Sequence, residues 1–386
     1  MKKSILFIVS DMQSGGVSKS MSTLLNVIDY NRFDIDVLIL NPSGVFMELL
    51  PKNLNIISDN RTKLLFSSFP SNIFQLLKKG YVVSAASRVA VAFFMTFNKG
   101  LGSKVLSYGI MNIKKEYDLA VDYNGQHQLY YLVDKVKAKI KVSFFHSDYA
   151  KWDYYYQMDQ KYYPKIDKIY TISETCVASL KKYFPKEDSK IELFENISSL
   201  ELIESLAESP IEIMPENAIV SIGYLTERKG TLLALESAAK MKELGIIFRW
   251  YFIGKDVKDH DYPLLVKKYG LEDYIVFVGV TANPYPYIKN AKIIAHLSYF
   301  EGKSIALDEA KLLCKPMVVT NFSTVNDQFT HNFNATITTF DTNMIAEQII
   351  ELLRSKSIRE KYSQNLKVDA KSNYSEIEKL YNLIEN

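Results

Sequence analysis

Short apolar runs rich in β-branched residues alternate with segments of helical spacing along most of the chain. In the first half, residues 5–10 (ILFIVS), 34–40 (DIDVLIL) and 54–58 (LNIIS) read as strands, and 17–28 as a helix between the first two. Further strands are predicted at 118–123 (DLAVDY), 140–146 (IKVSFFH), 168–173 (KIYTIS) and 191–194 (IELF), with a helix at 174–183. Near-continuous apolar strands separated by helices imply a parallel sheet covered on both faces.

The pattern pauses at 196–217, which is rich in Ser, Glu and Pro and has no strand signal. A second series then begins, with strands at 218–223 (AIVSIG), 248–254 (FRWYFIG), 274–279 (YIVFVG), 292–298 (KIIAHLS) and 316–320 (PMVVT). Helices are predicted at 231–244, 285–290 and 304–313, and an amphipathic helix closes the chain. The chain therefore reads as two doubly wound α/β domains, 1–195 and 196–366. The final helix, 367–386, is expected to cross back to the first domain. Ligands of such sheets bind beyond the carboxyl ends of the strands, which places the expected site in a cleft between the domains.

Composition narrows this picture. A length of 386 residues and 47% hydrophobic content suit two sizeable cores. The apolar run after Lys2 and Lys3 is short and ends at Asp11, so it reads as a strand rather than a signal peptide. With two cysteines, a reducing, cytoplasmic location is expected, and no disulfide framework. No stretch has the length of a membrane span. The net charge of +3 is small, and no nucleic-acid partner is expected. Its distribution is uneven. Residues 60–115 contain no Asp or Glu but carry Arg61, Lys63, Lys78, Lys79, Arg88, Lys99, Lys104, Lys114 and Lys115 among apolar segments. Such a segment suits an anionic membrane surface, or a helical excursion that packs internally.

Candidate chemistry lies at predicted strand ends. Gly15 and Gly16 sit between a strand and a helix, where backbone N–H groups and a helix N-terminus favour an anion. In 223–230 (GYLTERKG), Arg228 and Lys229 suit a diphosphate. In 298–310 (SYFEGKSIALDEA), Glu301 falls in a loop and Glu309 in the following helix, whose start offers N–H donors near Lys303 and Ser304. Carboxylates accept paired hydrogen bonds and suit vicinal hydroxyls. His146 ends a strand, as do Asn124 and Gly125 after 118–123. His127, His260, His296 and His331 show no metal-binding spacing, and no metal or other cofactor is expected.

These motifs together resemble retaining glycosyltransferases of family four, which have the GT-B architecture of two Rossmann-like domains facing across a cleft. The sequence GYLTERKG is similar to the family's G-R-L-x-x-x-K-G, and EGKSIALDEA to its E-x7-E segment, followed by the strand KPMVVT. The resemblance implies transfer of a sugar from a nucleotide-diphosphate donor, with UDP the commonest, to a glycan or lipid-linked acceptor in bacterial surface-polysaccharide synthesis. That acceptor would place the enzyme on the inner face of the plasma membrane. Arg228 and Lys229 would bind the diphosphate, with Gly15 and Gly16 beside it. Glu301 would contact the sugar, near Gly302, Lys303, Ser304 and Ile305, while Glu309 would hold the ribose. The base would lie near Val278, and His146 near the sugar. Asn124 and Gly125 would face the acceptor. Three departures stand out. Tyr224 replaces the family's Arg, Lys303 follows the E-G pair, and NFSTVNDQF replaces a glycine pair and glutamate, with Asp327 the nearest acid. A nucleotide-sugar 2-epimerase and a non-catalytic sugar-binding protein are the competing readings.

Overall fold

A computed structural model describes residues 2–13 and 15–385. It divides into two compact units. The first comprises Met1–Gln13, Val17–Asn196 and Ser375–Asn386, and the second Ser14–Gly16 and Ile197–Tyr374.

The first unit is built on a seven-stranded sheet of β1 (Lys3–Val9), β2 (Phe33–Ile39), β3 (Asn55–Ile57), β4 (Tyr117–Asp122), β5 (Ala138–Phe145), β6 (Lys168–Thr171) and β7 (Ile191–Leu193). The spatial order is β3-β2-β1-β4-β5-β6-β7, and neighbouring strands pair in parallel. The second unit has six strands, β8 (Ala218–Ile222), β9 (Arg249–Ile253), β10 (Ile275–Gly279), β11 (Ile293–His296), β12 (Met317–Thr320) and β13 (Thr336–Thr338), in the order β10-β9-β8-β11-β12-β13. These too pair in parallel.

The apolar runs are continuous because both faces of each central strand are buried. In the second sheet Ile219, Trp250, Ile293 and Val318 enter one core, and Val220, Ile253, Ile294 and Val319 the other. Alternate side chains thus serve opposite faces. In each sheet the strand order reverses once, between β1 and β4 and between β8 and β11. Loops leaving two such strands at their carboxyl ends diverge and open a crevice.

The acid-free stretch folds as the helices Asn60–Leu65, Ser71–Lys78, Val82–Phe97 and Lys99–Tyr108. Leu65, Val91 and Leu106 form a small core within it. Its other face is apolar and open, with Phe74 72%, Val83 83% and Phe97 77% exposed. Among the described residues no helix is long and apolar enough to cross a membrane. The last helix, Glu378–Glu385, is part of the first unit. Tyr381 stacks on Phe33 with ring centroids 4.6 Å apart, and its hydroxyl accepts the Asp29 N–H at 2.8 Å.

Candidate functional site

The reversal between β8 and β11 brings two loops of the second unit together. The loop after β8 runs from Gly223 to Gly230, where the helix Thr231–Glu243 begins. Gly230 has φ +73°, and a Cβ there would lie 1.9 Å from the Leu297 carbonyl oxygen, so the turn requires glycine. The loop after β11 is stitched to it. The Tyr299 N–H donates to the Arg228 carbonyl at 3.0 Å, and Ser298 Oγ donates to the same oxygen at 3.3 Å.

Of the two cations expected at a diphosphate, only Lys229 turns inward. Its Nζ donates to both oxygens of Glu301, at 2.6 Å to Oε1 and 2.8 Å to Oε2. Arg228 lends its carbonyl to the scaffold while the residue itself is exposed. Glu301 is only 7% exposed. His296, at the carboxyl end of β11, meets Oε1 through Nε2 at 2.8 Å. Burial alone would raise the Glu301 carboxyl, but the Lys229 charge and the His296 hydrogen bond more than offset it and hold it well below the usual carboxylate range. An ionised carboxylate only accepts, so His296 Nε2 carries the proton of that bond. A small cavity of about 20 Å³ beside them, lined by Tyr224, Lys229, Ala295 and His296 among others, has room for about one water.

The helix Ile305–Leu312 starts after Ser304, whose hydroxyl makes no capping bond. Gln328 supplies the cap instead. Its Oε1 accepts the Ser304 N–H at 3.1 Å, and its Nε2 donates to the Ser304 carbonyl at 3.0 Å and to Asp308 Oδ1 at 2.8 Å. The Ser304 N–H, expected to be open to a ligand, is therefore occupied. Asp327, expected as the acidic counterpart in this segment, is exposed, and its neighbour Gln328 takes the inward position. Thr324 Oγ1 donates to the Glu301 carbonyl at 3.0 Å. Glu309 is buried in the second turn of the helix and accepts the Tyr285 hydroxyl at 2.8 Å. Lys303 Nζ lies 3.9 Å from Asp308 Oδ2, with its side chain largely buried. Gly302 is buried, Tyr224 and Ile305 are half-buried, and Val278 is half-buried on β10.

Gly15 and Gly16, grouped with the second unit, approach this cluster: a Cβ on Gly15 would lie 3.1 Å from the Tyr224 hydroxyl, and one on Gly16 3.6 Å from Ile305 Cδ1. Gly15 and Gly16 follow β1, and Gly16 opens the helix Gly16–Val27. Asn124 and Gly125, in the first unit, form a turn around buried Asp122, whose Oδ1 accepts both N–H groups at 3.0 and 2.8 Å. Burial pushes the Asp122 carboxyl up to about 7. His146 follows β5 and packs on Tyr123 with centroids 4.7 Å apart. Its Nε2 is buried with no hydrogen-bond partner among the described residues, and burial lowers its pKa to about 4. Among the described residues no group of three or more His, Cys, Asp or Glu side chains is placed to hold a metal ion.

Sequence reasoning missed His296, Gln328, Tyr285 and Asp122. His296 fell inside the predicted strand 292–298, so the strand-end signal used for His146 did not single it out, whereas the observed β11 ends at His296. The other three are recognised only from what they touch.

Known proteins resemble this chain in sequence and in fold. Residues 204–369 match the family model described as glycosyl transferases group 1. A Campylobacter jejuni protein named N-acetylgalactosamine-N,N'-diacetylbacillosaminyl-diphospho-undecaprenol 4-alpha-N-acetylgalactosaminyltransferase is 26% identical over 213 residues, 54% of this chain and 57% of that protein. An uncharacterised glycosyltransferase of Methanocaldococcus jannaschii is 21% identical over 42% of each chain. The chain thus spans about half the length of the curated relatives it matches. Among solved structures, Anabaena HepE in complex with UDP and glucose aligns over 100% of both chains with a TM-score of 0.71 and 14% identity. Staphylococcus aureus TarM, solved with UDP among its ligands, aligns over 100% of both chains with a TM-score of 0.71 and 12% identity. The fold is that of the GT-B proteins.

Proposed function

We propose that the chain transfers a sugar from a nucleoside-diphosphate donor to an acceptor hydroxyl, with retained anomeric configuration and without a metal ion. The observation that carries this reading is the buried Lys229–Glu301 pair at the switch point of the second sheet. A largely buried lysine beside a small cavity suits a departing diphosphate, and an ionised carboxylate beside it suits sugar hydroxyls. Buried Glu309, one helix turn and a half further on, is a second acceptor suited to ribose hydroxyls. UDP as the nucleotide is supported by the complexes of HepE and TarM. A hexose or N-acetylhexosamine on a lipid-linked acceptor in surface-glycan synthesis is supported by the name of the Campylobacter relative.

In the proposed step the bond from the anomeric carbon to the diphosphate oxygen breaks, and its electron pair stays on the diphosphate. The acceptor hydroxyl attacks from the same face and gives its proton to a diphosphate oxygen. Lys229 stabilises the leaving charge, and Glu301 orients the sugar rather than attacking it. The exposed apolar face of Ser71–Lys78 and Val82–Phe97, with its surrounding lysines, would then hold the protein against an anionic bilayer where such acceptors reside.

The test is incubation of the purified chain with a panel of nucleotide sugars, with and without lipid-linked and oligosaccharide acceptors. Nucleoside diphosphate release that depends on acceptor, with an NMR coupling showing retention, is the expected result. Interconversion of the nucleotide sugars would indicate an epimerase, and binding without release would indicate a sugar-binding protein. Either outcome overturns the transfer reading.

A further inference from the structure

The two oxygens of Glu301 are not equivalent. Oε1 is shared by Lys229 Nζ and His296 Nε2, whereas Oε2 is bonded to Lys229. An ammonium has three N–H bonds, and here two of them are spent on Glu301. A diphosphate entering the crevice competes for those same donors, because its charge exceeds that of one carboxylate. We propose that His296 is a positioning residue: it pins Glu301 Oε1, so that Lys229 turning to the diphosphate releases Oε2 to a donor-sugar hydroxyl without letting the carboxylate swing. The inference rests on the nucleotide-sugar reading above and adds to it a division of labour between the two oxygens.

The surroundings of His296 favour this role. The residue is 6% exposed and sits on the last position of β11, where pairing with β12 fixes its backbone through the His296 and Val319 register. Its ring packs edge-on against Phe322, with centroids 6.2 Å apart. Thr324, on the segment that follows Phe322, holds the Glu301 carbonyl at 3.0 Å. The carboxylate is thus fixed at its backbone by one residue and at one oxygen by another. Neither contact involves Lys229, so both survive its departure. Without His296, the loss of Lys229 would leave a buried anion with no side-chain donor on Oε1 among the described residues.

The experiment compares wild type with His296→Leu, which removes the donor, and His296→Gln, which keeps an N–H at similar reach. UDP affinity is measured by calorimetry, and donor turnover by nucleotide release. His296→Leu is expected to bind UDP within about threefold of wild type and to lose about 100-fold in kcat, the scale of a misplaced reacting group, while His296→Gln recovers most of that loss. Wild-type kcat in His296→Leu would overturn the proposal. So would equal loss of UDP binding and turnover in both variants, which is the mark of a merely structural residue. If His296→Leu does not fold, histidine-labelled wild type decides the matter. The Nε2–H resonance of His296 should persist when UDP is added, and its disappearance would overturn the proposal. A wild-type chain that binds no nucleotide would instead sink the donor reading, and the proposal with it, a failure visible before any variant is made.

Discussion

Glu301 stays ionised in a crevice that would otherwise favour its neutral form, and the partner that does most to keep it so is Lys229. Removing that partner has two expected effects. Lys229→Ala should lower kcat by roughly 10²- to 10³-fold with a smaller change in donor KM, since the lost charge acts mainly on the leaving group. Lys229→Met should also destabilise the chain by roughly 3–5 kcal/mol near neutral pH in urea unfolding, because a buried anion loses its counter-ion. The pH dependence has a definite sign. The folded-state pKa of Glu301 lies below its unfolded value of about 4.3, so the folded state binds fewer protons in the interval between them. Its stabilisation is therefore complete above the unfolded value and is lost as the pH falls through the folded one. The difference in melting temperature between wild type and Glu301→Gln should grow as the pH rises from acid through that interval and then level off. At this scale the sequence showed Lys229 and Glu301 through their flanking motif. It did not show that Arg228 faces solvent, because adjacent cations look alike until the loop conformation decides which one turns inward.

The helix Ile305–Leu312 begins without a side-chain cap from its own N-terminal serine, and Gln328 supplies one from a distant loop. Gln328→Ala should cost about 1–3 kcal/mol in denaturant unfolding, since it strips partners from buried backbone groups of Ser304. Gly230→Ala is expected to cost roughly 2–4 kcal/mol, from left-handed backbone strain and collision with the Leu297 carbonyl. The central strands were legible because burial on both faces writes them as unbroken apolar runs. β13 was not, since three residues of Thr-Ile-Thr at a sheet edge carry no period. The segment 321–329 (NFSTVNDQF) was misread for a related reason. A short loop has no repeat to tell which of two adjacent polar side chains points in.

The whole chain carries two parallel sheets with separate cores, and its alternation of strand and helix announced both. The strand–helix alternation also placed the expected site beyond the carboxyl ends of the strands, but which loops build it depends on side-chain contacts that no pattern records. The acid-free helices were legible as a basic, apolar stretch. Their open face, with Phe74, Val83 and Phe97 standing out, was not, because periodicity does not say what an apolar face will meet. If this face meets an anionic bilayer, sedimentation with phosphatidylglycerol-rich vesicles should capture the chain and neutral vesicles should not. Lys78→Gln with Lys79→Gln should weaken capture about 30-fold, at about 1 kcal/mol per lysine, and added salt should do the same. No loss on either treatment would remove the membrane from the proposed function.

The helix Glu378–Glu385 lies against Phe33 and Asp29, on the unit whose sheet precedes the second unit along the chain. As the chain is synthesised, that unit emerges with its sheet but without Tyr381 to cover Phe33. It waits while the whole of Ile197–Tyr374 is translated and folds. The first unit is therefore completed only after the second, and a chain stalled or nicked between Tyr374 and Glu378 would carry an intact second unit and an unsealed first one.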